Sequence, residues 1–569
     1  MKILRNLLAF AALLCLIQNS FATALIQLSL SGLPSTVNTY QTYDNVLLTI
    51  TNPTATPLFL NQLSDTQYPK GFTQTATTCT NVLLAAKAQC TVTGNFIPTQ
   101  AGTNTWSVKL AAENYVWTTP YTTSVAVQQA PRPPDQLDSQ LQNDIDNFYA
   151  QFKNSPAFSA VQLSVLLPSE SQSRDYIVGT QSVENPNIPA TTTMLTQYGS
   201  ITKEFTSALI IKYIDTHPSA INLQTSLGTL FPEEFSTGAW PSVWRIITIE
   251  QLMNMTSGIA NGYPRSLAEL NPNAQYTLES YVQEMAAEQN TKGCILQNGC
   301  FPAGAQFYYS NTNYELLGMI VGKIYGNPSE SYDDAYALAL NGNILDTQRA
   351  QGNAIYYALY YTPPILNQMI NSYWGFDEQS TPYLHFGQNI TSSNLSWIGS
   401  AGALTGNMHA LVNIVHALFH NEILSPTETQ ILTQTGFIKT QTGEHVAFAD
   451  RQTQCTQTCY GLGVMYISQF ESPIYGDVYE YPGATQGFNT IYIWFPKYDA
   501  IIAFSLNTTQ DSVRVPLATM EAAIIQHVIA YLNPGQAVPQ LNTSLYTKFF
   551  NLEFNKNMLY VPNRSQEKL

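Results

Sequence analysis

Residues 198–214 read YGSITKEFTSALIIKYI, and the interpretation of the whole chain starts from this stretch. Ser200 and Lys203 stand three apart, ahead of apolar positions that include Phe205, Leu209 and Ile210. That spacing predicts a helix whose opening turn brings the hydroxyl and the amine onto one face. A serine hydroxyl is a poor nucleophile until a base takes its proton. A helix N-terminus favours negative charge, and burial there disfavours an ammonium, so the position suits a lysine that acts as the base. The S-x-x-K spacing alone is not diagnostic, because Ser565 and Lys568 repeat it in the tail, where nothing else supports catalysis.

Four further segments follow in order: ITIEQLMNMTSGI (247–259), FYYSNTNYELLGMIV (307–321), YGLGVMY (460–466) and YPGATQGFNTIYI (481–493). This order resembles the serine β-lactamase and penicillin-binding protein superfamily. The likeness is to its class C β-lactamase, D-alanyl-D-alanine carboxypeptidase and esterase branch, over roughly residues 140–533. The resemblance implies an acyl-enzyme hydrolase of esters, D-peptides or β-lactams that needs no cofactor. It implies Ser200 as nucleophile, Lys203 as its partner, Tyr309 as a second proton carrier and Asn311 as a hydrogen-bonding residue facing substrate. The oxyanion donors would be the backbone N–H groups of Ser200 and Ala484. Such a set supplies the nucleophile, base, proton donor and oxyanion donors that acyl transfer requires. A tyrosine ordinarily titrates near about 10, so a Lys203 ammonium is expected beside Tyr309, with the two titrating as a coupled pair.

The third motif departs from its relatives, which place Lys or His first and Gly third. Here the triplet is Tyr481-Pro482-Gly483. Gly483 is expected to let substrate approach the backbone. Tyr481 offers a neutral hydrogen bond where a cation would bind a carboxylate, which shifts the expected substrates towards esters and neutral amides. The segment 399–418 resembles a turn and helix found beside the site in the family, with Gly402 at the pocket wall.

Working outward, residues 25–128 are short alternating runs such as NVLLTIT (45–51) and NTWSVKL (104–110), broken by Asn, Pro, Gly and Thr. Period-two alternation with frequent turn signals predicts an all-β sandwich. The stretch 78–102 is similar to bacterial immunoglobulin-like modules, with a Cys-bounded hairpin before an F-x-P-T-x-x-G turn. Clustered prolines in QQAPRPPD (128–135) mark a linker, since they continue neither sheet nor helix. Beyond it, Leu137, Leu141, Ile145, Phe148 and Phe152 fall at helical spacing. Strand-like runs occur at 159–167 and 173–180, and again at 478–483, 488–495 and 500–507, before a closing helix at 515–532. Strands at both ends of a mainly helical middle predict one antiparallel sheet in an α+β, β-lactamase/transpeptidase-like domain. The expected plan is a signal peptide at 1–24, an immunoglobulin-like sandwich at 25–128, a linker at 129–136, the hydrolase domain at 137–533 and an extension at 534–569.

Lys2 and Arg5, the apolar run Leu7 to Ile17 and Ala22-Thr23-Ala24 read as a secretory signal, so export to a periplasm or the medium is expected. No transmembrane span is expected in the mature chain. Six cysteines then remain, in close pairs expected to form the disulfides Cys79–Cys90, Cys294–Cys300 and Cys455–Cys459. The net charge of −15 over 569 residues offers no basic face, which argues against nucleic acid or an anionic membrane as partner. His416 and His420, four apart with no Glu between them, read as a solvent-facing pair, and no metal is expected. The competing reading is a non-catalytic envelope binding protein with a degenerate pocket, and the intact Ser200, Lys203, Tyr309 and Asn311 set argues against it.

Overall fold

The computed structural model describes residues 26–541, apart from 61, 70, 81, 99–101, 113–114, 117–120, 129–133, 169, 171, 262–273, 293–300 and 376–383. The signal segment, Cys294 with Cys300, much of the linker and most of the C-terminal extension lie outside the described residues. The chain divides into two compact units, the first ending at Pro134 and including 169–171, the second holding Asp135–Pro168 and everything from Gln172 onward.

The first unit is all β among its described residues. One sheet orders the strands Gln27–Ser31, Tyr43–Thr51, Gln89–Phe96 and Phe72–Thr77, all antiparallel. A second is built around Gly102–Ala112 and Tyr121–Gln128, which run antiparallel. Alternation does the work the sequence suggested: Val46, Leu48 and Ile50 from the first sheet share a core with Trp106 and Val108 from the second. Trp106 meets Phe96 edge-on at 5.1 Å, and the Cys79–Cys90 disulfide lies in the same core.

The second unit is α+β. Its eight-stranded sheet consists of β1 (Ala160–Leu166), β2 (Arg174–Gly179), β3 (Ile438–Lys439), β4 (Cys459–Tyr460), β5 (Met465–Ile467), β6 (Val478–Ala484), β7 (Asn489–Phe495) and β8 (Ala500–Leu506). The spatial order is β2-β1-β8-β7-β6-β5-β4-β3, with every neighbour antiparallel. The two ends of the domain thus meet one strand in from an edge of the sheet, at the β1–β8 pairing.

Five helices matter for the site: α1 (Gln136–Phe152), α2 (Thr202–Thr216), α3 (Asn311–Tyr325), α4 (Met408–Phe419) and α5 (Arg514–Leu532). Asp135 begins α1 through a reciprocal capping box with Asp138, a device worth about 1 kcal/mol. Leu141, Ile145 and Phe148 of α1 then pack with Ile524, Ile525 and Val528 of α5 against one sheet face; full burial of each such side chain is worth roughly 1.5–3 kcal/mol. Helix α5 is long and apolar enough to cross a bilayer, yet it is this packing that its apolar residues serve. On the other face, Tyr492, Ile501 and Ala503 meet the helical layer. There α2 is buried from Thr202 to Ile211 and α3 from Asn311 to Gly322. Helices buried on all sides form the centre of a core, and the ends of these two carry the residues singled out in the sequence.

Candidate active site

Ser200 does not sit directly in an α-helix. Gly199–Ile201 form a 3₁₀ turn, and α2 continues from Thr202. Gly199 takes a left-handed φ of 55°, open to glycine at no steric cost, and this turns the chain sharply beneath β6. Tyr198 is pinned by its N–H to the Leu404 carbonyl at 2.8 Å. On the other flank, the Thr490 hydroxyl donates to the Gln197 carbonyl at 2.8 Å.

Within this frame Lys203 Nζ lies 2.9 Å from Ser200 Oγ and donates to the Ala401 carbonyl at 2.8 Å. Both side chains are fully buried. Burial holds the Lys203 amine well below the ordinary lysine range, opposed in part by Glu315. Glu315 is itself pushed up to about 8 by burial, so it is largely a neutral acid at pH 7, and its Oε2 lies 3.2 Å from Ser400 Oγ. The Tyr309 ring stands 5.0 Å from Nζ. The Tyr309 hydroxyl is 3.4 Å from that of Tyr481, which is 2.6 Å from that of Tyr460. Burial keeps Tyr460 and Tyr481 well above the usual phenol range, so both remain protonated donors.

The family model for beta-lactamase matches residues 152–526. The chain belongs to the beta-lactamase family. Solved structures share the fold. One is D-amino acid amidase from Ochrobactrum anthropi SV3 complexed with L-phenylalanine amide: 17% identity, TM-score 0.53, 71% of this chain and 100% of that one covered. The same amidase complexed with D-phenylalanine matches at 18% identity and TM-score 0.52, covering 68% and 99%.

In this beta-lactamase-family domain Ser200, Lys203, Tyr309 and Tyr481 converge, as the distances above show. Asn311 is the first residue of α3; its backbone N–H donates to Asn261 Oδ1 at 2.9 Å. Its side-chain amide is buried, yet neither Oδ1 nor Nδ2 has a hydrogen-bond partner. Gly483 and Ala484 close β6 against the Ser200 turn. At Gly483 a Cβ would stand 1.9 Å from the Tyr198 carbonyl oxygen and 3.2 Å from the Ser200 nitrogen, so the glycine admits the nucleophile turn. Burial lowers the Lys203 amine from its ordinary range, which works against the ammonium expected beside Tyr309. Gly402 packs against Ile398, and it is the neighbouring Ala401 that reaches the site through its carbonyl.

Sequence reasoning missed Tyr460 and Glu315. Both stood inside quoted segments, but Tyr460 gains its role only from the β4–β5–β6 pairing that sets it against Tyr481. Glu315 follows Asn311 by four residues and so turns inward on the same face of α3.

Proposed function

We propose that this protein is an exported serine hydrolase that forms an acyl-enzyme on Ser200 and acts on esters and neutral amides. One observation carries the reading: a buried lysine amine, depressed below its ordinary range, lies 2.9 Å from the Ser200 hydroxyl. In the first step Ser200 Oγ attacks the carbonyl carbon and its proton passes to Lys203 Nζ. The Ala401 carbonyl fixes the amine for this transfer. The developing oxyanion faces the N–H groups of Ser200 and Ala484, where preorganised donors are most effective in a dry site. Tyr309 delivers a proton to the leaving alkoxide or amine and regains one from the Lys203 ammonium, with the Tyr481 and Tyr460 hydroxyls behind it. Water then attacks the acyl carbon and gives its proton to the Lys203 amine, which passes it to Ser200 Oγ as the acid leaves.

The unpartnered Asn311 amide is a ready hydrogen-bonding site for the acyl portion of a substrate, since a buried amide without a partner costs about 1–3 kcal/mol until one arrives. With Tyr481 in place of a cation, the substrate class is one without a terminal carboxylate. A D-amino acid amide, the class named for the structural relative, meets that description. Residues 1–24 direct export, and the first unit serves as an immunoglobulin-like module outside the chemistry. Turnover of a chromogenic short-chain ester, D- and L-phenylalanine amide, a D-alanyl-D-alanine peptide and a chromogenic cephalosporin tests the reading. Hydrolysis of the ester or amide, lost in Ser200→Ala, is expected; inertness towards all of them would overturn it.

A further inference from the structure

The last turns of α4 and the hairpin between β7 and β8 meet in a second cluster of chemically capable side chains. His416 and His420 stack face to face with centroids 3.9 Å apart and planes 3° from parallel. Asp499, at the hairpin turn with a left-handed φ of 52°, brings its Oδ1 within 2.7 Å of His420 Nε2. One nitrogen of each ring and a carboxylate oxygen of Asp499 all lie within 4.8 Å of one another.

The outer contacts decide which nitrogens are available. His420 Nδ1 lies 2.9 Å from the His416 carbonyl, and a carbonyl only accepts, so Nδ1 carries a hydrogen there. His416 Nδ1 lies 3.3 Å from Glu422 Oε1, which assigns its hydrogen in the same way. Each ring is therefore held by an outer acceptor through Nδ1, the usual arrangement behind a metal-binding histidine. In a neutral ring this leaves Nε2 with a lone pair. His420 Nε2 lies 2.7 Å from Asp499 Oδ1, the separation of a hydrogen-bonded histidine–carboxylate pair, and a metal ion would take the place of the proton between them.

We propose that His416, His420 and Asp499 form a binding site for a divalent transition-metal ion of the zinc class, with Glu422 orienting His416. Two imidazoles and a carboxylate are a ligand set this class accepts, with a fourth position left to water. The site is structural. Asp499 follows the end of β7 at Phe495, whereas Ala484 pairs with its beginning at Asn489; six strand steps of roughly 3.3 Å place about 20 Å between the two ends. A bound ion would clamp α4 to the β7–β8 turn and take no part in acyl transfer.

The test uses the full mature chain, stripped with a chelator and titrated with zinc chloride by calorimetry, with cobalt(II) absorption as a spectroscopic check on ligand geometry. Wild type should bind one equivalent at this site, with a zinc-dependent rise in thermal midpoint. His420→Ala and Asp499→Ala should weaken binding at least about 100-fold, and Glu422→Gln by roughly 10–100-fold. Ester turnover should be unchanged in all three. Absence of saturable binding in wild type, or equal binding in a His416→Ala/His420→Ala double variant, would overturn the proposal. So would a His420 imidazolium that persists in saturating zinc, which would leave an ion pair with Asp499 and no site.

Discussion

Tyr460 and Tyr481 share a hydroxyl contact of 2.6 Å, and through Tyr481 the pair reaches the Tyr309 hydroxyl at 3.4 Å. Tyr481, at the position where a cation was expected, is therefore joined to Tyr309, the proposed proton carrier. Tyr481→Phe keeps the ring and removes both contacts, and should lower ester turnover less than tenfold. Tyr481→Lys should raise activity on a carboxylate-terminated D-peptide relative to the ester, because a charge-assisted hydrogen bond is worth roughly 1.5–3 kcal/mol. Acylation rates on both substrates check this; equal losses on both would place Tyr481 in the bond-making machinery instead of in substrate selection.

Gly483→Ala places a methyl group against the Tyr198 carbonyl, where the ideal Cβ would be only 1.9 Å away. Backbone cannot yield as a flexible side chain does, so the variant should lose roughly 3 kcal/mol of stability. It should also lose about 10²–10³ in turnover, as the Ser200 and Ala484 amides are pushed apart. Denaturant melts and steady-state rates on one preparation report both effects. A variant of native stability and full activity would contradict the packing role.

Buried carboxyls set a pH dependence of stability. Glu315 and Glu480 are each pushed up to about 8 by burial, from an ordinary value of 4.5. Between about 4.5 and about 8 the unfolded chain has released protons that the folded chain retains, so folding loses stability as pH rises through that window. The slope is about 1.4 kcal/mol per pH unit for each such group at most. Thermal midpoints should therefore fall from pH 5 to pH 8. Glu480 alternates with Tyr481 on β6 and so faces away from the site. Glu480→Gln should flatten the decline and leave ester turnover unchanged. A midpoint that rises over the same range would contradict the assignment.

Two disulfides, Cys79–Cys90 and Cys455–Cys459, are formed. The second closes a loop immediately before Tyr460. Cys455→Ser/Cys459→Ser should cost roughly 2 kcal/mol, the value for so short a loop, with a modest loss of turnover through displacement of Tyr460. Non-reducing peptide maps should show these local pairs, and crossed pairs or free thiols at these positions would contradict the connectivity.

What the sequence made legible was local. Ser200 and Lys203 are three residues apart at the start of one helix, so spacing alone brought their side chains together, and Tyr309 and Asn311 stand at the start of another. The long strands β1, β6, β7 and β8 announced themselves by apolar runs. The two-residue strands β3 and β4 could not, because so short a pairing leaves no periodicity to read, and with β4 went the contact of Tyr460 with Tyr481. Glu315 was opaque for another reason: its unusual acidity comes from burial on every side of α3, which composition does not reveal. Asp499 beside His420 depends on where a hairpin turn falls against α4, a matter of tertiary packing that no motif encodes.

Ser200 is proposed as the nucleophile, activated by the buried amine of Lys203. Intact-protein and peptide mass spectrometry after treatment with a fluorophosphonate tests it most directly. Wild type should carry one adduct, on Ser200, formed faster as pH rises through the depressed titration of Lys203. Ser200→Ala should carry none, and Lys203→Met should react at least about 10²-fold more slowly. An adduct on another residue, or undiminished labelling of Ser200 in Lys203→Met, would contradict the account.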